Sequence, residues 1–127
     1  MSADHSSDDA PVRVLIVDDS DDQLNLFRRY FERAGCAVSL AATALDGLEA
    51  FDSTEPDLTV IDLVLPGMDG WELAAALRKR RPEAAIAITS VLGEEHYPAG
   101  YTVLPKPVAS QHIRQALIDT VPRWKAA

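Results

Sequence analysis

Three carboxylates, a hydroxyl and a lysine stand where short apolar runs stop. Val12 to Val17 runs directly into Asp18-Asp19, Leu58 to Ile61 into Asp62, Ala85 onward into Thr89 and Ser90, and Tyr101 to Leu104 is followed by Pro105 and Lys106. Carboxylates brought within a few ångströms repel one another, and a hard divalent cation relieves this better than protonating them all. Oxygen donors with no clustered Cys or His favour Mg²⁺ over zinc. A carboxylate beside Mg²⁺, a lysine and a hydroxyl is equipped for phosphoryl transfer, because charge on the equatorial oxygens needs cations and donors held in place during in-line attack. The product would be an aspartyl phosphate. Asp62 is the better nucleophile, since it stands singly on its strand while the Asp18-Asp19 pair can carry the metal. Lys106 would then neutralise one phosphoryl oxygen and Thr89 donate a hydrogen bond to another.

This chemistry requires that all the runs end on one side of a sheet, and the intervening sequence supplies the means. Residues 20–34 form an amphipathic helix. Ser20 and Gln23 make a capping box, Leu24, Phe27, Phe31 and Ala34 share a face, and Gly35 can close the end. Ala37 to Leu40 reads as a second strand, and Thr43 caps a helix running through Phe51. After the Leu65-Pro66-Gly67-Met68 turn, Asp69 with Glu72 opens a third helix bearing Trp71, Leu73, Ala76 and Leu77. The cations Arg78, Lys79, Arg80 and Arg81 suit the negative end of that helix dipole. Ile113, Ala116, Leu117 and Val121 mark the inward face of a last helix. Five strands alternating with helices predict an α/β fold, a doubly wound five-stranded parallel sheet of flavodoxin-like order 2-1-3-4-5. Pro105 cannot donate to a central ladder, which places the fifth strand at an edge. In such a sheet the crevice lies beyond the carboxyl ends of strands one and three, where Asp18, Asp19 and Asp62 stand.

The bulk properties narrow the field further. A chain of 127 residues, 47% hydrophobic and 25% charged, suits one packed domain. With 20 acidic against 12 basic side chains, its formal charge of −8 argues against direct nucleic-acid or anionic-membrane binding. No apolar run suffices for a membrane helix and no secretory leader is seen, so the expected compartment is the cytoplasm. Residues 1–11, polar and carrying Asp4, Asp8 and Asp9, read as a flexible N-terminal tail before a domain over 12–127. Cys36 reads as a buried structural thiol, and His5, His96 and His112 as surface residues.

Taken singly, each site residue has a structural reading: Asp19 can precede a cap, Asp69 is a cap, Thr89 is an ordinary strand residue, and a lysine at a strand end is usually solvated. As an ordered set, Asp18-Asp19, Asp62, Leu65-Pro66-Gly67-Met68-Asp69-Gly70, Thr89 and Lys106-Pro107 resemble the receiver domain of bacterial response regulators, over about residues 12–121. The resemblance implies Mg²⁺ bound by Asp19, Asp62 and the main-chain carbonyl of Val64, with Asp18 acting largely through water. It implies a sensor histidine kinase or histidine phosphotransfer protein as donor, and a cis Lys106-Pro107 bond. With no output segment after residue 121, the chain reads as a stand-alone switch that acts on a protein target. A second copy of the chain is a further candidate partner.

Two departures qualify that likeness. Residues 90–105 make a shorter interval between Thr89 and Lys106 than receivers usually have, which predicts that the helix between the fourth and fifth strands is short or absent. The aromatic that receivers typically carry three residues before the lysine is here Val103, with Tyr101 as a substitute on the same strand face or simply packed at the strand start. Val64 and Val91 are apolar where some receivers orient attacking water, which predicts slow self-dephosphorylation. The rival reading is a pseudo-receiver, a constitutive binding or dimerising module that keeps the pocket but not the switch. A phosphatase turning over an aspartyl phosphate would need an acid two residues after Asp62, where Val64 stands. The chain is therefore expected to be a phosphoacceptor rather than an enzyme.

Overall fold

A computed structural model describes residues 10–90 and 100–125 of the chain. Strands β1 (Arg13–Val17), β2 (Ala37–Ala41), β3 (Leu58–Asp62), β4 (Ile86–Ser90) and β5 (Thr102–Pro105) form one parallel sheet in the order β2-β1-β3-β4-β5. Helices α1 (Asp21–Arg33), α2 (Ala44–Thr54), α3 (Gly70–Arg80) and α4 (Ser110–Thr120) cover its two faces. The order is the flavodoxin-like one that the strand and helix alternation predicts, and Pro105 lies on an edge strand. Residues 91–101 connect β4 to β5, a short connection. The expected shortened helix there, with Val91 and His96, falls outside the described residues, as do the tail up to residue 9 and His5.

Alternation along each strand divides the apolar residues into two cores. Val14 and Ile16 of β1 and Leu58 and Val60 of β3 face α1 and α4, where Leu24, Phe27, Phe31, Ile113 and Leu117 meet them. Leu15, Val17 and Ile61 face the other way, onto Phe51 of α2 and Leu73 and Leu77 of α3. Burial on both sides explains why β1 and β3 read as near-continuous apolar runs. Phe27 and Phe31 are fully enclosed, and truncation of such a ring to alanine costs roughly 3–5 kcal/mol.

Ser20, Thr43 and Asp69 cap their helices as expected, although at Ser20 only the serine half of the expected capping box is recorded. Ser20 Oγ accepts from the Gln23 amide at 3.3 Å and Thr43 Oγ1 from the Asp46 amide at 3.1 Å. Asp69 and Glu72 form a reciprocal capping box on α3. One expectation needs correction: His112 is half-buried rather than a plain surface residue, and its Nδ1 accepts from the Ala109 amide at 2.9 Å. It thereby satisfies a donor at the start of α4 where Ala109 has no side-chain acceptor to offer.

The cations at the end of α3 do more than meet a helix dipole. Arg78 Nε donates to the Ala84 carbonyl at 2.9 Å, Arg81 Nη2 donates to the Pro56 carbonyl at 2.7 Å, and Arg80 pairs with Asp52 at 3.1 Å. At the amino end of the sheet Arg123 holds Asp57 at 2.6 Å and also donates to the carbonyls of Ala10 and Pro11. Cys36 is buried there, and desolvation, helped by the charge of Asp57, raises its thiol pKa to about 11, which makes it inert.

Candidate functional site

The carboxyl ends of β1 and β3 are neighbours in the sheet, so the Asp18-Asp19 pair meets Asp62 although the pair and Asp62 are far apart in sequence. Each of the three offers a carboxylate oxygen lying within 4.8 Å of the others. Asp18 is 1% exposed and Asp62 7%, whereas Asp19 points into solvent. Asp18 Oδ1 accepts from the Ser20 amide at 2.9 Å, which ties the acid to the start of α1. Its Oδ2 is buried with no hydrogen-bond partner among the described residues. Asp62 Oδ1 accepts from the Val64 amide at 3.2 Å, leaving Oδ2 to face the crevice.

Lys106 arrives from the edge strand. Its Nζ stands 3.4 Å from Asp62 Oδ2 and 3.6 Å from Asp18 Oδ2, too long for good hydrogen bonds but close enough for ion pairing with both. The Lys106-Pro107 bond that follows is cis, as the resemblance implies. One ammonium cannot neutralise three carboxylates. Burial, and next the proximity of Asp62, therefore push the Asp18 carboxyl above its usual range, against the opposing pull of the Ser20 amide and Lys106. A set of hard oxygen donors that one ammonium only partly neutralises, one of them buried without a hydrogen-bond partner, fits a divalent cation such as Mg²⁺. Asp18, Asp19 and Asp62 are the residues that could hold it.

Thr89 lies on β4 directly opposite Asp62 in the ladder, and the Leu63 amide donates to its carbonyl at 3.1 Å. Its hydroxyl is buried and without a partner among the described residues, a donor available to a group bound at Asp62. Ser90 closes the same strand. Val64, two residues after Asp62, is 72% exposed.

Two features of the surroundings join separate elements of the fold. Gly70, the first residue of α3, donates its amide to the Leu63 carbonyl at 2.8 Å, and a Cβ built there would lie 2.5 Å from the Asp62 carbonyl oxygen. The absence of a side chain is what lets the helix start against the strand bearing Asp62. Glycine at a first helical position after an aspartate cap was the available signal. Tyr101, meanwhile, packs on the α3 side of the sheet: its ring meets Trp71 edge-on at 5.5 Å, and the Arg78 guanidinium lies 4.7 Å above it. These contacts pack the tyrosine at the strand start.

A family model described as response regulator receiver domain matches residues 14–118. An uncharacterized 14.6 kDa protein from Leptolyngbya boryana is 36% identical over 89 residues, covering 68% of each chain. The transcriptional regulatory protein TrcR of Mycobacterium tuberculosis is 35% identical over 75 residues, 59% of this chain but only 29% of its own length. The matched region is thus a minor part of that regulator. Among solved structures, a CheY-like response regulator receiver domain protein from Methanospirillum hungatei superposes with a TM-score of 0.81 at 26% identity, over 91% of this chain and 97% of its own. Among the described residues no helix is long and apolar enough to cross a membrane.

Proposed function

The chain belongs to the response regulator receiver domain family, and from that premise we propose that it is a phosphorylation-controlled switch in which Asp62 accepts a phosphoryl group. The observation that carries this is the meeting of a buried Asp62 Oδ2 with Lys106 Nζ at 3.4 Å inside a three-carboxylate cluster. The donor would be a phosphohistidine on a sensor histidine kinase or a histidine phosphotransfer protein. An oxygen of Asp62 forms the new bond to phosphorus as the nitrogen–phosphorus bond breaks, and the imidazole leaves with the electron pair. Lys106 follows the developing negative charge, and the unpartnered Thr89 hydroxyl donates to a second phosphoryl oxygen. Asp19, Asp62 and the Val64 carbonyl would hold Mg²⁺, with Asp18 acting through water. Bound there, the ion would supply positive charge against the phosphoryl oxygens.

The protein would act in the cytoplasm as a phosphoacceptor that assists only its own phosphorylation and dephosphorylation, and would signal by binding a protein target. The exposed Val64 side chain has no polar group with which to orient water, which supports slow loss of the phosphoryl group. Incubation with Mg²⁺ and acetyl phosphate, read by intact mass, tests the proposal. A phosphoryl adduct on the native chain that is missing from Asp62→Asn is the expected result. No adduct on the native chain, with Mg²⁺ binding demonstrated, would instead favour a constitutive pseudo-receiver.

A further inference from the structure

Lys106 reaches Asp62 from two strands away. Among the described strands β5 pairs with β4 alone, and Leu104 packs its middle against α4, so the placement of its two ends depends on what anchors them. Strands are spaced by about 4.8 Å, so the lysine side chain must span past the end of β4, and a small displacement of β5 would change both ion-pair distances. At the beginning of that strand stands Tyr101. Its ring is held by Trp71 and Arg78, and Arg78 Nη2 donates to the Gly100 carbonyl at 3.0 Å. All these contacts come from α3, the helix whose first residue is seated directly on the backbone of Asp62 and Leu63.

The contacts close a circuit: from Asp62 to Gly70, along α3 to Trp71 and Arg78, across to Tyr101, along β5 to Lys106, and back to Asp62. We infer that Tyr101, clasped by Trp71 and Arg78, is a positioning residue that sets Lys106 relative to the acceptor carboxylate. One helix thereby fixes both the nucleophile and its counter-ion. Tyr101 touches no reacting atom and acts only through the placement of β5. The inference rests on the phosphoacceptor reading for its consequence, but the clasp itself can be tested without it.

Tyr101→Ala, Tyr101→Phe and the native chain are compared in two measurements. The first is acetylation of Lys106 by acetic anhydride without added metal, read by peptide mass spectrometry against the exposed Lys79 and Lys125 as internal references. The second is the rate of labelling by acetyl phosphate, alongside Mg²⁺ affinity. Loss of the clasp should speed Lys106 acetylation relative to the references and slow labelling about tenfold, since ångström-scale misplacement of a charge-stabilising group is costly. Mg²⁺ affinity should not fall, because the carboxylates that would hold it are carried by β1 and β3 and lose only a competing cation. Tyr101→Phe keeps the ring and should behave as native. Trp71→Leu, a milder break of the same clasp, should shift Lys106 acetylation in the same direction if the alanine variant fails to fold. Unchanged Lys106 acetylation in a folded clasp variant would overturn the inference. Absence of labelling in the native chain would defeat the phosphoacceptor reading alone, with acetylation still deciding the clasp.

Discussion

Replacing Gly70 by alanine would put a methyl group 2.5 Å from the Asp62 carbonyl oxygen and 2.7 Å from Leu63 Cα. Carbon contacts relax only at about 3.5–4.0 Å, so the first turn of α3 would have to retreat by roughly 1 Å. Both obstacles are main chain in a central strand and cannot swing aside. Overpacking of this kind costs about 1–3 kcal/mol, offset by up to about 1 kcal/mol from the reduced freedom of the unfolded chain. The net loss should be about 1–2 kcal/mol, a fall in Tm of roughly 4–8 °C for a domain of this size. Gly47→Ala provides the comparison: its nearest obstacle is a methyl of Val17 at 2.9 Å, a side-chain atom, and glycine in a helix interior is itself unfavourable. Thermal unfolding followed by circular dichroism should therefore place Gly70→Ala clearly below Gly47→Ala. Labelling by acetyl phosphate should be slower in the Gly70 variant, because the retreating helix stretches the bond from the Gly70 amide to the Leu63 carbonyl that braces the chain beside Asp62. A Tm for Gly70→Ala equal to or above native, with native labelling, would refute the reasoning.

Two further outcomes follow from buried polar atoms. Thr59 sits mid-strand between Leu15 and Ile86 with its hydroxyl enclosed and unpartnered among the described residues. Thr59→Val should stabilise by about 1 kcal/mol, seen as a raised midpoint in urea; a lowered midpoint would mean the hydroxyl has a partner, such as an ordered water. Asp18 has its pKa raised from 3.8, chiefly by burial, so the folded state holds its proton more tightly than the unfolded chain and loses stability as pH rises above that value. In chelator at neutral pH Asp18→Asn should thus be more stable than native, with the advantage fading as pH drops toward 3.8, and Mg²⁺ should stabilise the native chain more than the variant. A variant less stable than native in chelator at neutral pH would show that the Lys106 ion pair outweighs burial.

The sequence by itself determined the element types and the side of the sheet on which the chemistry lies. Apolar runs that halt at Asp18 and Asp62, the caps at Ser20, Thr43 and Asp69, and Pro105 on an edge are all encoded within a few neighbouring residues. Period and capping are local properties, so they can be read without the fold. Which of the polar residues touch, and with what consequence, was decided only by the tertiary structure. The ion pairs that Lys106 shares between Asp18 and Asp62, the seating of Gly70 on Asp62 and the capture of Tyr101 by Trp71 and Arg78 each join separate elements. His112 reads as a surface residue for a related reason, since its capping role shows only once Ala109 is placed at the helix start. Strand ends bring such residues within reach, but the ångström or two that separates an ion pair from a solvated charge depends on how helices pack across the sheet, and no local pattern carries that distance.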